Sequence, residues 1–291
     1  METNSSHPLK NNLQFGHLKQ LISLVEKVVI PDVIYLLGSA STKKTITSLF
    51  CPSGYEPALG TDYFILVLLN DFREKSISQW QDQIEQVCNV TIPVSCIVLE
   101  TATFHQWLKI GHRFARLVAQ SGAVIYNPQN ISFSPTGDYD PIVESSIIER
   151  QYQAGFSKTQ EFLAGADLYR IRKHYSLALF MLHQATEQAL GTLLKKGMGY
   201  YCCSHNIERL LRYVSWVDGQ VRDLFPMYTE SEKKLFTLLQ KAYIDSRYRL
   251  DYTVHYQDLV TITERVRLLV RILENWGKKS VSTFPPITVS H

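Results

Sequence analysis

The stretch Thr61-Asp-Tyr-Phe-Ile-Leu-Val-Leu-Leu69 places one acidic residue directly before a continuous apolar run. Two further short apolar runs, Val33–Leu37 and Val94–Leu99, are bounded by Gly, Pro or polar residues. Runs of this kind are typical of strands that are buried on both faces. Helix-spaced apolar residues between Leu18 and Val25 precede them. Residues 15–140 therefore predict an α/β-type domain in which helices cover a sheet.

The second half of the chain has a helical pattern. Tyr175–Lys196 carries apolar residues at i, i+3 and i+4 spacing, and Gly197 and Gly199 are expected to end this helix. Three more helices are predicted at Ile207–Val214 with Ser204 as N-cap, Ser231–Tyr243 and Asp258–Trp276. At least four helices of this kind predict a helical bundle.

Residues 127–141 are rich in Pro, Asn and Asp and show no periodicity, which is typical of a linker. We therefore expect two domains, at residues 1–135 and 141–291. The fold class is α+β: a small mixed sheet with helices, followed by an all-α bundle.

Charge and cysteine content restrict the functional class. The net charge is +3, with −2 in residues 1–140 and +5 in residues 141–291. The second half can therefore bind an anionic ligand, but the excess of positive charge is too small to indicate nucleic acid by itself.

The five cysteines lack CxxC spacing, and METNSSHPLKNN at the start lacks the apolar core of a secretory signal. No apolar run reaches about 18 residues, so we expect a cytoplasmic protein without a membrane span.

A strand that ends in Gly38-Ser39, followed by a strand that opens with Asp62, resembles the nucleotidyltransferase fold of the minimal prokaryotic type. In that family, Gly-Ser is followed by Asp-x-Asp on the next strand and by a third acid on a later one. Alternate strand residues face one side, so two carboxylates hold paired Mg²⁺ ions. The resemblance implies that Gly38, Ser39 and Asp62 bind nucleotide and that Asp62 is a metal ligand. It suggests Glu100 as the third acid.

Phe64 occupies the position of the second acid. A lone carboxylate cannot bridge two Mg²⁺ ions, which require oxygen ligands. We therefore expect a degenerate site without nucleotidyl transfer, in which Asp62 remains from the motif and Mg²⁺ is disfavoured as a cofactor. An alternative retains transfer if another residue, for example Glu56, supplies the second acid.

Three segments of the second half resemble the HEPN domain: Ala178–Leu190, Ser204–Leu211 and Ala242–Tyr252. The resemblance implies nucleotide or RNA handling and a homodimer formed through the bundle. It points to Gln184, Glu187 and Arg247 as nucleotide-binding residues, with Arg247 and either Lys195 or Arg249 receiving phosphate oxygens in a cleft between helices. In a structural alternative, Glu187 pairs with Arg247, and His205 orients the loop after Gly199.

Some HEPN relatives are metal-independent ribonucleases with an Arg-x(4–6)-His motif. In these relatives the histidine handles the 2′-hydroxyl proton and the arginine stabilises the charged phosphorane. Arg249 and His255 have this spacing and form a candidate catalytic pair. The arginine that matches the HEPN segment is Arg247, however, which lies eight residues before His255.

The sequence thus favours a regulatory or defence protein that binds nucleotide or RNA, with a degenerate nucleotidyltransferase-like domain joined to a HEPN bundle. Two alternatives remain: a HEPN-type ribonuclease, and a non-catalytic dimeric scaffold for a protein partner. Whether the protein is an enzyme is left open by the residues alone.

Overall fold

The computed structural model describes residues 12–41, 45–48, 62–72, 74–134, 136–202, 204–249 and 251–279. The chain forms two compact units, and the boundary between them lies between Tyr139 and Asp140. The first unit combines strands and helices, whereas the second is helical. The predicted fold class is confirmed.

The first unit is built on a mixed sheet with the order β2-β1-β3-β4. Strand β5 pairs with β1 as well, over the first part of that strand. Among the described strands, β3 and β4 are parallel and the other pairs are antiparallel. The strands are β1 (Val33–Ser41), β2 (Thr45–Ser48), β3 (Asp62–Leu69), β4 (Val94–Glu100) and β5 (Ala123–Tyr126).

Helices cover the sheet of the first unit. They are α1 (Asn12–Glu26), α2 (Ile77–Cys88), α3 (Thr101–Lys109) and α4 (Arg113–Ser121). Tyr63, Ile65 and Val67 of β3 belong to one core cluster with residues of α1 and α2. Tyr35 contacts Phe104 of α3, with 5.7 Å between ring centroids. Residues 63–69 are at most 1% exposed, so the prediction of a strand buried on both faces is confirmed.

One prediction in this region was wrong, and one strand was not predicted. Strand β1 does not end at Gly38-Ser39 but continues to Ser41, because β2 pairs with the second part of β1. The β-branched stretch Thr45–Thr47 suits this pairing, but β2 was not among the predicted strands. Residues 42–44 and 49–61 lie outside the described residues.

In the predicted linker, residues 127–134 and 136–140 form no helix or strand, and α5 begins at Pro141. The described linker residues up to Tyr139 belong to the first unit. The guanidinium of Arg116 lies 3.4 Å from the ring centroid of Tyr139. Gly137 approaches Lys109 so closely that a Cβ there would lie 2.0 Å from the Lys109 carbonyl oxygen. The stretch is therefore folded onto the first unit rather than extended.

The second unit consists of helices grouped around α6, which contacts α5, α7, α8 and α9. Its elements are α5 (Pro141–Ile171), α6 (Tyr175–Met198), α7 (Ile207–Val214), a 3₁₀ turn (Gly219–Leu224), α8 (Glu230–Tyr248) and α9 (Tyr256–Lys278). All four predicted helices are present, and three extend beyond their predicted bounds. In the described part of the chain, no helix is both long enough and apolar enough to span a membrane.

Two details of the helix ends differ from the predictions. Gly199 ends α6 in the left-handed conformation, with φ of 74°, but Gly197 lies inside the helix and packs against Val217. The N-cap of α7 is Asn206, whose side chain accepts from the Arg209 N–H, and not Ser204. The Asn206 carboxamide reaches this N–H, whereas Ser204 hydrogen-bonds the Asn206 N–H.

Candidate functional site

The first candidate site lies where β1 ends and β3 begins. Asp62 is opposite Ala40, and Phe64 is opposite Gly38 in the ladder. Because strand residues alternate in direction, Asp62 and Phe64 project from the same face. Phe64 is 0% exposed, whereas Asp62 is half-buried. The structure therefore places Gly38, Ser39 and Asp62 at one end of the sheet, beside a buried aromatic ring.

Glu100 lies at the opposite end of the same sheet. In the parallel pairing of β3 with β4, Glu100 is beside Leu69, seven residues along the strand from Asp62. At about 3.3 Å per residue, the two positions are roughly 23 Å apart. Two ligands of one metal ion lie within a few ångströms of each other, so Glu100 is excluded as the third acid beside Asp62.

The residues present do not fit a pair of magnesium ions. Mg²⁺ needs oxygen ligands in near-octahedral geometry, and Phe64 supplies none. Across the described part of the chain, no three His, Cys, Asp or Glu side chains are grouped closely enough to hold a metal ion. Glu56, the alternative source of a second acid, lies outside the described residues.

The second candidate site is in the helical unit, at Glu187 on α6. The Nδ1 atom of His205 lies 3.1 Å from each Glu187 carboxylate oxygen. Gln184 donates to the same carboxylate at 3.5 Å. Among the described residues, Glu187 forms no ion pair with Arg247 and contacts His205 instead. The carboxylate of Glu187 therefore binds an imidazole.

Tyr243 on α8 holds the ring of His205 from its face. The two rings are stacked with 4.4 Å between centroids and an interplanar angle of 15°. The Arg247 guanidinium lies 4.2 Å from the Tyr243 centroid, and its Nε donates to the Tyr243 carbonyl at 2.6 Å. Arg247 therefore packs on the aromatic ring that orients His205.

His183, one turn before Glu187 on α6, is fully buried. Its Nδ1 atom lies 3.8 Å from the Glu187 carboxylate. Burial lowers the pKa of His183 to about 4, and the nearby charges of His205 and Arg247 act in the same direction. His183 is therefore neutral near pH 7.

A cleft of about 540 Å³ opens between α5, α6 and the loop that leads to α7. The edge of the Glu187–His205 pair forms part of its wall. Lys158 of α5 and Lys195 of α6 also line it, and neither forms an ion pair within the described residues. Tyr201, which is 64% exposed, lies at the same cleft with the Lys195 ammonium 5.7 Å from its ring centroid.

Lys196 also lines the cleft but is already neutralised. Its Nζ lies 3.2 Å from a Glu149 carboxylate oxygen and 4.1 Å from the Tyr152 ring centroid. Hydrogen bonds from Gln153 and then Lys196 lower the pKa of Glu149, so the carboxylate stays charged. Lys196 is a structural cation, which leaves Lys158 and Lys195 for an anionic ligand.

The candidate ribonuclease residues lie elsewhere on the helical unit. Arg249, at the end of α8, pairs with Asp251 at 3.3 Å and with Asp245 at 3.6 Å. His255 is exposed and precedes α9 without a capping hydrogen bond from its side chain. In the described residues, no hydrogen bond or ion pair joins Arg249 to His255. Arg249 lines a second cavity, of about 450 Å³, whose described lining does not include His255.

Comparison with known protein families assigns most of the helical unit to one domain family. Residues 152–276 match the family model of the HEPN domain, so the second unit contains a HEPN domain and this prediction is confirmed. A solved structure of a nucleotidyltransferase-like protein from Exiguobacterium sibiricum is similar over 92% of this chain and 78% of that chain, with 11% identity and a TM-score of 0.31. A likeness this low carries no argument about the activity. A search of curated proteins found no match.

The sequence missed part of the cleft. Helix α5 was not predicted individually, so Tyr152 and Lys158 were not considered. Tyr152, Gly155 and Lys158 follow one another at a spacing of three residues, so they lie along one face of a helix. This spacing was the sequence pattern that could have predicted the wall of the cleft. His205 was assigned to orient a loop, whereas the structure adds its contact with Glu187 and its place in the cleft.

Proposed function

We propose that the protein binds a nucleotide, either free or within an RNA, in the cleft between α5 and α6, without nucleotidyl transfer. The observation that carries this proposal is the presence of two cations, Lys158 and Lys195, without ion-pair partners in the described residues, at one cleft beside Tyr201. Phosphate oxygens are attracted to such lysines. An exposed tyrosine offers a stacking surface for a base.

The size of the cleft is compatible with this ligand. Small-molecule sites are usually about 300–1,000 Å³, and this cleft measures about 540 Å³. The exposed ring of Tyr201 and the charged ends of the lysines supply the two kinds of contact that a nucleotide requires. The Glu187–His205 pair adds a polar group at the same wall.

The proposal that transfer is lost is supported by the sheet of the first unit. The position of the second acid is filled by the buried ring of Phe64, and Glu100 lies at the far end of the sheet from Asp62. Binding without turnover suits a regulatory or defence component, in which the liganded state is the signal.

We also propose a homodimer formed through the HEPN unit. Ile244 and Tyr248, one turn apart on α8, are 58% and 72% exposed, and exposed apolar pairs of this kind favour association. We expect sedimentation equilibrium to give a dimer, and Ile244→Lys to shift it toward monomer. A monomer at every protein concentration would contradict this part of the proposal.

Titration calorimetry tests the binding proposal, with AMP, adenosine and a short single-stranded RNA as ligands in EDTA. We expect AMP and RNA to bind and Lys195→Gln to weaken AMP binding about tenfold, because it removes a charge-assisted hydrogen bond. Lys278→Gln is the control, since Lys278 is exposed and pairs with Glu274 on α9. No binding of either ligand, or equal losses in both variants, would contradict the proposal.

A further inference from the structure

The contact between His205 and Glu187 fixes the tautomer of the histidine. An ionised carboxylate can only accept, so Nδ1, at 3.1 Å from both oxygens, must carry a hydrogen. In the neutral ring, Nε2 then carries a lone pair. The stacked ring of Tyr243 restrains the plane in which Nε2 points.

The Nε2 atom is available to a ligand. No described residue forms a hydrogen bond with it, the side chain is 61% exposed, and His205 lines the cleft together with Lys158 and Lys195. Neutral Nε2 presents a lone pair, which repels a phosphate oxygen. Protonated Nε2 presents an N–H, which donates to that oxygen.

Charged and titratable groups from α5, α6 and α8 surround His205, and Lys158 and Lys195 contribute positive charge to the cleft. From α6, Glu187 contributes a negative charge, and the pKa of His183 is about 4, so His183 remains neutral above pH 5. From α8, Arg247 contributes a constant positive charge next to Tyr243. Histidine is the side chain that ordinarily titrates between pH 5 and 8.

We propose that His205 donates a hydrogen bond from Nε2 to a terminal phosphate group of the nucleotide, and that it does so only when the imidazole is protonated. This inference rests on the proposed function and names its ligand more closely. A terminal phosphate carries nearly two negative charges near pH 7, whereas an internal phosphodiester carries one. Three positive charges, from Lys158, Lys195 and the imidazolium of His205, therefore favour a terminal phosphate over an internal phosphodiester.

The test compares the Kd of AMP for the wild type and for His205→Gln between pH 5.5 and pH 8.0. The glutamine amide can donate at every pH, so it lacks the protonation step. The phosphate of AMP itself titrates in this range, but the ratio of the two Kd values cancels that contribution. We expect the ratio to change about tenfold in favour of the wild type as the pH falls.

Two further variants separate phosphate recognition from a structural role. Glu187→Gln replaces the carboxylate that fixes the hydrogen on Nδ1 with an amide that can also donate, so Nε2 is no longer fixed as the free nitrogen and the pH-dependent change in affinity should be smaller. His174→Gln is the matched control, because His174 is exposed at the other end of α6 and its side chain makes no capping hydrogen bond. It should retain the wild-type profile.

The ligands separate the two sources of the phosphate. Adenosine should show no pH-dependent ratio, and RNA with a 5′-phosphate should show a larger one than RNA with a 5′-hydroxyl. A ratio that stays constant while AMP binds would overturn the role of His205 but leave the binding proposal intact. Absence of binding of AMP and of both RNAs to either protein at any pH would overturn both.

Discussion

Asp62 and Glu187 are both carboxylates at positions where a motif implies nucleotide binding, but their surroundings differ. Asp62 lies at the end of a sheet, on the same face as the buried ring of Phe64. Glu187 holds an imidazole at a cleft that also contains two lysines without ion pairs in the described residues. On this comparison we expect the neighbours of an acid, more than its place in a motif, to determine whether phosphate binds beside it.

The largest effect is expected from restoring the motif in the first unit. Phe64→Asp would bury a carboxylate without a metal and would remove a core ring, at a cost of about 5 kcal/mol or more. That loss is comparable to the total stability of many proteins. We therefore expect the first unit to unfold, as measured by urea denaturation with and without Mg²⁺.

Phe64→Leu is the control for this change, because it keeps the position apolar and should cost about 1–3 kcal/mol. A folded Phe64→Asp protein that Mg²⁺ stabilises would show that the sheet end still accepts a metal pair. In that case the contrast between the two carboxylates would fail.

The buried histidine beside Glu187 should make the stability of the HEPN unit depend on pH. The pKa of His183 is about 4 in the folded state and 6.5 in a model peptide. As the pH falls from 6.5 toward 4, the unfolded state binds the proton first, so the free energy of unfolding decreases. The expected decrease is on the order of 3 kcal/mol.

Urea denaturation of the wild type and His183→Leu at several pH values measures this effect. The variant should lose the slope between pH 6.5 and 4, whatever its absolute stability. His174→Gln should retain the slope, because His174 is exposed. An unchanged slope in His183→Leu would assign the pH dependence to other groups.

The close approach of α5 and α6 beside the cleft gives a smaller effect. A Cβ on Gly155 would lie 2.2 Å from Thr192 Oγ1, so Gly155→Ala must push the helices apart. We expect a loss of about 1–3 kcal/mol. Gly191→Ala on α6 meets nothing within 4 Å and should be neutral or stabilising by up to about 1 kcal/mol. Equal thermal denaturation midpoints for the two variants would contradict this packing.

The smallest expected effect concerns nucleotide binding by the first unit. Asp62→Ala should change the Kd of AMP less than twofold, because the proposed phosphate ligands Lys158 and Lys195 lie in the HEPN cleft and the described residues contain no cluster of acids, histidines or cysteines that could hold a metal ion. Titration calorimetry in Mg²⁺ and in EDTA measures it. A loss of tenfold or more that appears only with Mg²⁺ would move the site to the sheet end.

Much of the fold could be predicted from local sequence patterns. Strands β3 and β4 are continuous apolar runs, and α6 has a clear apolar stripe, because each is buried along its length. Strand β2 was missed because its four residues are ordered by pairing with β1, which a local pattern does not show. Helix α5 was not predicted individually, and its ends carry exposed apolar residues such as Ile142 and Ile171.

The candidate site was predicted in part. The HEPN resemblance predicted Gln184 and Glu187 as site residues. In the structure Gln184 donates to Glu187, and Glu187 contacts His205. Glu187 and His205 are 18 residues apart, and Lys158 is on a different helix. Their convergence depends on how α5, α6 and the following loop pack, which the spacing of residues along the chain does not reveal.

Photolabelling with 8-azido-AMP tests most directly which of the two carboxylates marks the nucleotide site. The labelled protein is digested, and mass spectrometry identifies the modified peptide, with excess AMP as the competition control. We expect AMP-sensitive label within residues 187–210, which include Tyr201, and a reduced yield in Lys195→Gln. Label within residues 33–69 that is lost in Asp62→Ala would contradict the assignment of nucleotide binding to the HEPN cleft.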